Sequence, residues 1–128
     1  MTEPVLVCVT GQASGQRLIR LGAALAQRLM LPLLVLSVSG SGLNVVEDPQ
    51  VSQALNELYR ISSEVGAEMT MLHDPDALHA ISRFARERGV RHVVLGEGKG
   101  STAFVEALQR ELPQAAFLVA PAGDDPAV

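Results

Sequence analysis

Aromatic residues are nearly missing from this chain of 128 residues: Trp is absent, and Phe, Trp and Tyr together make up 3%. A core without rings must be built from Val, Leu, Ile and Ala. The same poverty removes the stacking platforms with which single-stranded RNA and DNA are usually held. A net charge of −4 also opposes a phosphate backbone, and Arg83, Arg86, Arg88 and Arg91 read as a solvated helix face and loop. No nucleic-acid partner is expected. Cysteine is reduced to Cys8, so no intramolecular disulfide forms. Set in an apolar run, Cys8 reads as a small buried hydrophobe, because a reactive thiolate needs exposure and nearby positive charge. No apolar run approaches the ~20 residues of a membrane helix, and Met1-Thr2-Glu3-Pro4 is acidic where a secretory leader is basic. The expectation is a cytoplasmic protein with no membrane contact.

Catalytic and cofactor signatures are also lacking. A Walker A loop would need Gly at 93 and a hydroxyl residue at 100, where the chain has Val93 and Gly100. A dinucleotide fingerprint needs Gly-x-Gly-x-x-Gly directly after the first strand, and Gly11 and Gly15 have the wrong spacing. Gly-x-Ser-x-Gly is absent, and no Ser-His-Asp or Cys-His arrangement is identifiable. His73, His79 and His92 lack an acidic partner at metal-ligand spacing, so no metal is expected. No general base or carboxylate pair stands out for ATP chemistry. A non-enzyme is expected, with weak ATP hydrolysis the one activity left open.

What is present is an ordinary globular composition, 48% hydrophobic and 19% charged, in a chain of one-domain length. Val5–Val9 is a continuous β-prone run, as in a strand buried on both faces. Leu18, Leu21, Leu25 and Leu29 then recur at helical spacing over about Ser14–Met30, a helix ended by Pro32. Leu33–Val38 predicts a second buried strand. Val51, Leu55, Leu58 and Val65 predict a second helix ending at Gly66, and Ala67–Leu72 a third strand. Asp74 is expected to cap a third helix with Pro75 in its first position, Leu78, Ile81, Phe84 and Ala85 on its buried face, and Gly89 closing it. Val90–Leu95 is the fourth strand. Phe104, Val105 and Leu108 mark a short helix stopped near Pro113, and Ala116–Ala120 is the last strand. Strands alternating with helices through short connections predict one doubly wound α/β domain with a parallel sheet covered on both faces. It is expected to fill residues 1–121, with 122–128 a polar, acidic tail.

Two loops carry glycine together with hydroxyl residues. One comes after the first strand (Thr10, Gly11, Ser14, Gly15). The other comes after the fourth (Gly96, Gly98, Lys99, Gly100, Ser101, Thr102). In a doubly wound sheet, ligands sit beyond the strands' carboxyl ends where the winding reverses. With strand order 3-2-1-4-5, strands one and four are neighbours there. Glycine permits close backbone approach, and a helix N-terminus presents unpaired N–H groups and partial positive charge. These features make a phosphate cradle one reading; a tight strand-to-helix turn without ligand is the other. Lys99 is correspondingly a phosphate contact or a solvated loop lysine.

Residues 4–121 as a whole resemble the universal stress protein family. The resemblance rests on Val5-Leu6-Val7-Cys8-Val9-Thr10-Gly11, His73-Asp74-Pro75-Asp76-Ala77-Leu78-His79-Ala80-Ile81, Val93-Val94-Leu95-Gly96 and Phe117-Leu118-Val119-Ala120-Pro121. The opening strand and loop are most similar to the stress-protein-like domain of Kdp-type potassium-sensing histidine kinases. The resemblance implies a five-stranded 3-2-1-4-5 sheet of the adenine nucleotide alpha hydrolase-like type. It also implies a homodimer through the last strands, a signalling partner, and in one subgroup ATP or AMP at the reversal crevice. By that resemblance, Thr10 and Gly11 would border the base or ribose. Val38 would offer backbone groups to an adenine edge, or simply be the last core residue of its strand. Gly96, Gly98, Lys99, Gly100, Ser101 and Thr102 would surround phosphate. The subgroup's Gly-x2-Gly-x9-Gly-Ser/Thr pattern is broken here: from Gly96 the second glycine falls on Lys99 and the third on Gln109. Gly100-Ser101 is the remaining match to its end, and Thr10 stands where relatives often carry Asp. These departures leave open a dimerisation or sensor module that binds no nucleotide.

Overall fold

A computed structural model describes residues 3–9, 14–39, 49–96 and 101–120. Strands β1 (Val5–Val9), β2 (Leu33–Ser39), β3 (Glu68–His73), β4 (His92–Gly96) and β5 (Ala116–Ala120) alternate with helices α1 (Ser14–Leu29), α2 (Pro49–Glu64), α3 (Ala77–Arg88) and α4 (Ser101–Glu111). The strands form one sheet in the order β3-β2-β1-β4-β5, every pairing parallel. This is the doubly wound order the sequence leads one to expect. The central strands read as unbroken apolar runs because both their faces are covered. Val5, Leu6, Val7, Val35, Leu36 and Val94 are completely buried.

The faces carry separate cores. Odd-numbered β1 residues Val5, Val7 and Val9 pack with Leu33, Val35 and Val94 against Leu18, Ile19 and Ala26 of α1 and Leu58 and Ile61 of α2. On the other face, Leu6, Leu34, Leu36, Val93 and Leu95 meet Ile81, Phe84 and Ala85 of α3 and Leu108 of α4. Aliphatic burial at ~1.5–3 kcal/mol per large side chain is the driving term on both faces. The side chains of Val51 and Leu55, expected on the buried face of α2, lie outside the described residues. So do residue 121 and the whole of the expected tail, 122–128.

Local closures explain where elements stop. Gly89 ends α3 in the left-handed region (φ 67°), its N–H donating to the carbonyls of Ala85 and Arg86. The Val90 N–H returns to the Ala85 carbonyl at 2.9 Å, so Val90 belongs to this closure and β4 starts two residues later than the apolar pattern suggests. Met30 comes after α1 with φ 58°, a left-handed closure made without glycine. One expectation is corrected. Asp76, not Asp74, caps α3: its side chain accepts from the His79 N–H at 3.1 Å. Asp74 accepts from the Asp76 N–H at 2.8 Å, forming an Asx turn that delivers the chain to the cap and leaves Pro75 outside the helix. Both aspartates suit capping chemistry; the second reaches the third helical amide, where an orphan donor needs an acceptor.

Candidate functional site

The strand order places the reversal of winding between β1 and β4. Helices α1 and α2, which carry the chain from β1 outward to β3, lie on one face; α3 and α4, which carry it back through β4 to β5, lie on the other. Val5 pairs with His92, Leu6 with Val93 and Val7 with Val94. Carried forward, that register sets Val9 level with Gly96, the last residues of their strands. The two glycine-bearing loops therefore follow adjacent strands, each of which runs two residues past the last β1–β4 pairing, Val7 with Val94. From there the chain enters α1 and α4, whose first turns flank the reversal from opposite faces.

The floor of this end of the sheet is apolar. Cys8, Val38 and Leu72, near the carboxyl ends of β1, β2 and β3, are half-buried and packed against the α3–α4 core, as are Leu78 near the start of α3 and Phe104 and Val105 near the start of α4. Deeper along the same face, Leu6, Leu36 and Leu108 are fully covered. Cover on this face thus thins toward the carboxyl edge. Sequence pattern singles out Val38 here but not Leu72, Leu78 or Phe104 as site residues. Their only signal is membership in apolar periodicities, which does not tell a crevice wall from a core.

Val38 pairs with Leu72 on one side, while the ladder with β1 reaches only Ser37. Carried one step further, the register with β1 would set Val38 opposite Thr10, which lies outside the described residues. Gly96 pairs with Ala120, and a Cβ at Gly96 would lie 3.1 Å from Leu18 Cδ1 of α1. Its lack of a side chain therefore serves helix packing. The backbones of Ser101 and Thr102 form the first turn of α4. Thr10, Gly11, Gly98, Lys99 and Gly100 lie outside the described residues, as do the side chains of Ser101 and Thr102.

Electrostatics at the floor are muted. Burial pushes the Cys8 thiol up from 9.0 to about 12, so it is a neutral group at any ordinary pH. Among the described residues, no group of three or more His, Cys, Asp or Glu side chains is arranged to hold a metal ion. No helix among them is long and apolar enough to cross a membrane. Charged residues gather elsewhere. A groove beside β3 is lined by Asp74, His79, Arg83 and Glu87 over Leu72, Ala80 and Phe84. At the opposite, amino-terminal end of the sheet, a second groove contains Glu3, Arg86, Arg91 and Gln114, with ion pairs Arg91–Glu3 and Arg86–Glu111.

No protein-family model matches the chain. Among curated proteins it is similar to the sensor protein KdpD of Escherichia coli strain K12, at 30% identity over 94 residues, which is 73% of this chain and 10% of that protein. The chain thus spans about a tenth of the length of the curated relatives it matches. Among solved structures it is similar to the universal stress protein from Archaeoglobus fulgidus in complex with dAMP, with a TM-score of 0.65 and 21% identity over 93% of this chain and 96% of that one. It is also similar to a universal stress protein in complex with cAMP, with a TM-score of 0.66 and 14% identity over 97% of this chain and 98% of that one. In strand order, layering and extent, this chain has the universal stress protein fold, and in sequence it resembles a segment of the KdpD sensor proteins.

Proposed function

We propose that the chain is a universal stress protein-like regulatory module that binds an adenine nucleotide, of the ATP or AMP class, between the loops after β1 and β4. The observation that carries this reading is that the two glycine-bearing loops follow adjacent strands at the winding reversal, beside a floor of partly buried apolar residues. A purine ring suits such a floor, and a phosphate suits the glycine-rich approach to a helix N-terminus. Relatives of the same fold whose structures hold dAMP and cAMP support the ligand class. In this reading Thr10 and Gly11 border the base or ribose, and Val38 presents main-chain groups to the adenine edge. Gly98, Lys99, Gly100, Ser101 and Thr102 surround phosphate, with Gly96 contributing only backbone. The module signals by conformation or assembly rather than by chemistry, in the cytoplasm, and the likeness to KdpD supports a partner in signal transduction.

Titration calorimetry with ATP, ADP and AMP tests the site. Lys99→Ala is expected to weaken binding about 10- to 100-fold, the ~1.5–3 kcal/mol of a charge-assisted contact. Absence of heat with all three nucleotides would reject the reading. In that case the second reading gains: a dimerisation or sensor module that holds no nucleotide. One observation favours it independently. β5 is an outer strand of the sheet, and Leu118 on it is 44% exposed, a surface suited to a second copy of the chain. Sedimentation analysis tests this reading: the chain should form a dimer that Leu118→Lys dissociates, while calorimetry shows no nucleotide heat for either protein.

A further inference from the structure

The edge of the sheet away from β5 has a different character. β3 pairs with β2 along its whole length, Leu34 with Glu68 through Ser39 with His73, and among the described residues no strand covers its other side. Outer strands are ordinarily protected by central charges, proline or bulges. The middle of β3 is Met69-Thr70-Met71-Leu72, with neither charge nor proline, and Met71 is 60% exposed. An unprotected row of main-chain donors and acceptors selects an extended chain as its complement.

Beside this edge, on the α3 side, runs the groove walled by Leu72 and by one flank of α3. Ala80, Phe84 and Leu72 make its apolar floor, and Asp74, His79, Arg83 and Glu87 line it, with Arg83 its one guanidinium among the described residues. Arg83 gives its Nε–H to Glu87 at 3.3 Å, with both side chains largely exposed. Its two terminal nitrogens make no hydrogen bond among the described residues. A guanidinium fork beside an apolar trough is the arrangement that takes a carboxylate next to a hydrophobic side chain. Side chains of an added strand alternate between faces. One set would therefore enter this groove, and the other would lie over Met71 and Met69 on the far face.

We infer that β3 and the α3 flank form a docking site for an extended peptide of a partner protein, added as a sixth strand, with an acidic residue facing Arg83 and an apolar neighbour on Leu72 and Phe84. The site borders the nucleotide crevice through Leu72, but its argument does not rest on nucleotide binding.

The probe is a set of acetylated, amidated heptapeptides that alternate apolar and polar residues and carry one Asp or Glu at each position in turn. Binding to the full chain is measured by fluorescence anisotropy, and its location by amide hydrogen exchange. Some peptides are expected to bind and to slow exchange in β3. N-methylation of alternate peptide bonds should abolish binding in one phase and spare it in the other. Arg83→Glu should weaken the acidic peptides at least tenfold and favour their Lys-substituted counterparts. Arg83 is exposed, so an unchanged thermal melt will show that folding is intact. The inference is overturned if no peptide binds, or if binding is indifferent to N-methylation or to Arg83→Glu. Protection appearing at β5, or at β3 without peptide as protein concentration rises, would overturn it as well, the last by showing that a second copy is the occupant.

Discussion

Gly22 sits in the middle of α1, where alanine would ordinarily be the better helix former by about 1 kcal/mol. A Cβ built there falls 2.1 Å from Val7 Cγ2 and 3.3 Å from Leu33 Cδ1. Ordinary contact begins at 3.4 Å, so α1 must lift from the sheet or Val7 must leave its place. Val7 has little room to do so. It is β-branched, fully buried in the central strand, and held between Val35 and Val94, with χ1 restricted. Overpacking of this kind costs about 1–3 kcal/mol or more, which outweighs the propensity gain. Gly22→Ala should therefore lower stability by about 1–2 kcal/mol, a Tm shift of several degrees for a domain of this size, read by urea titration and calorimetry. The companion variant is Val7→Ala, which alone should cost about 1.5–3 kcal/mol for the lost burial and the cavity. Combined with Gly22→Ala, it vacates the space the new methyl needs, so the double variant should be more stable than the two losses summed by about 1 kcal/mol or more. Gly22→Ala at or above wild-type stability, or strictly additive losses, would refute the claim that close helix–strand approach requires this glycine.

Met30 closes α1 at φ 58° and is 88% exposed, so Met30→Gly should relieve left-handed strain and raise stability by about 0.5–1 kcal/mol in denaturant titration. Asp76→Ala should cost about 1 kcal/mol through loss of the α3 cap, and Asp74→Ala less, since it removes only the turn leading in; equal losses would contradict the assignment. At pH 8 the native Cys8 thiol should resist iodoacetamide and become labelled only on unfolding. Above pH 9 the unfolded thiol ionises while the folded one stays protonated to about 12. Stability present below pH 9 should therefore fall as pH rises toward 12, and Cys8→Ala should flatten that decline.

The strands are legible because a parallel sheet leaves a direct trace: Val5–Val9, Leu33–Leu36 and Val93–Leu95 are apolar at consecutive positions, which only double-sided burial explains. Glycine at 89 is legible as a closure because left-handed backbone favours it. The closure at Met30 is not, since nothing in a methionine signals left-handed geometry. Asp74 and Asp76 are easily confused because both side chains engage nearby main chain, and only the dihedral angles decide which one faces the helix. The need for Gly22 depends on how α1 settles over β1, a long-range fact with no local signature. The same holds for the crevice walls. Leu72, Leu78 and Phe104 come together only once the positions of α3 and α4 over the sheet are fixed.

Gly96 shows how one residue serves two readings. In sequence it opens a glycine-rich loop and looks like the first contact for phosphate. In the fold its bare Cα faces Leu18, on the α1 side of the sheet, whereas the partly buried apolar floor of Cys8, Val38 and Leu72 lies on the α3–α4 side. Alternation along β4 puts these on opposite faces, because Gly96 shares a face with Val94 while Val93 and Leu95 share the other. The missing side chain at 96 therefore opens no space toward that floor. In the proposed reading, a charged group above the floor is met by Gly98 through Thr102, and α4, which Ser101 and Thr102 begin, packs on the same face as the floor. On that geometry Gly96→Ala should press on Leu18 and cost stability while leaving nucleotide affinity within about twofold. Lys99→Ala should do the reverse, and if Gly96→Ala instead abolished binding in a protein that still melts cooperatively, the phosphate would have to lie on the α1 side.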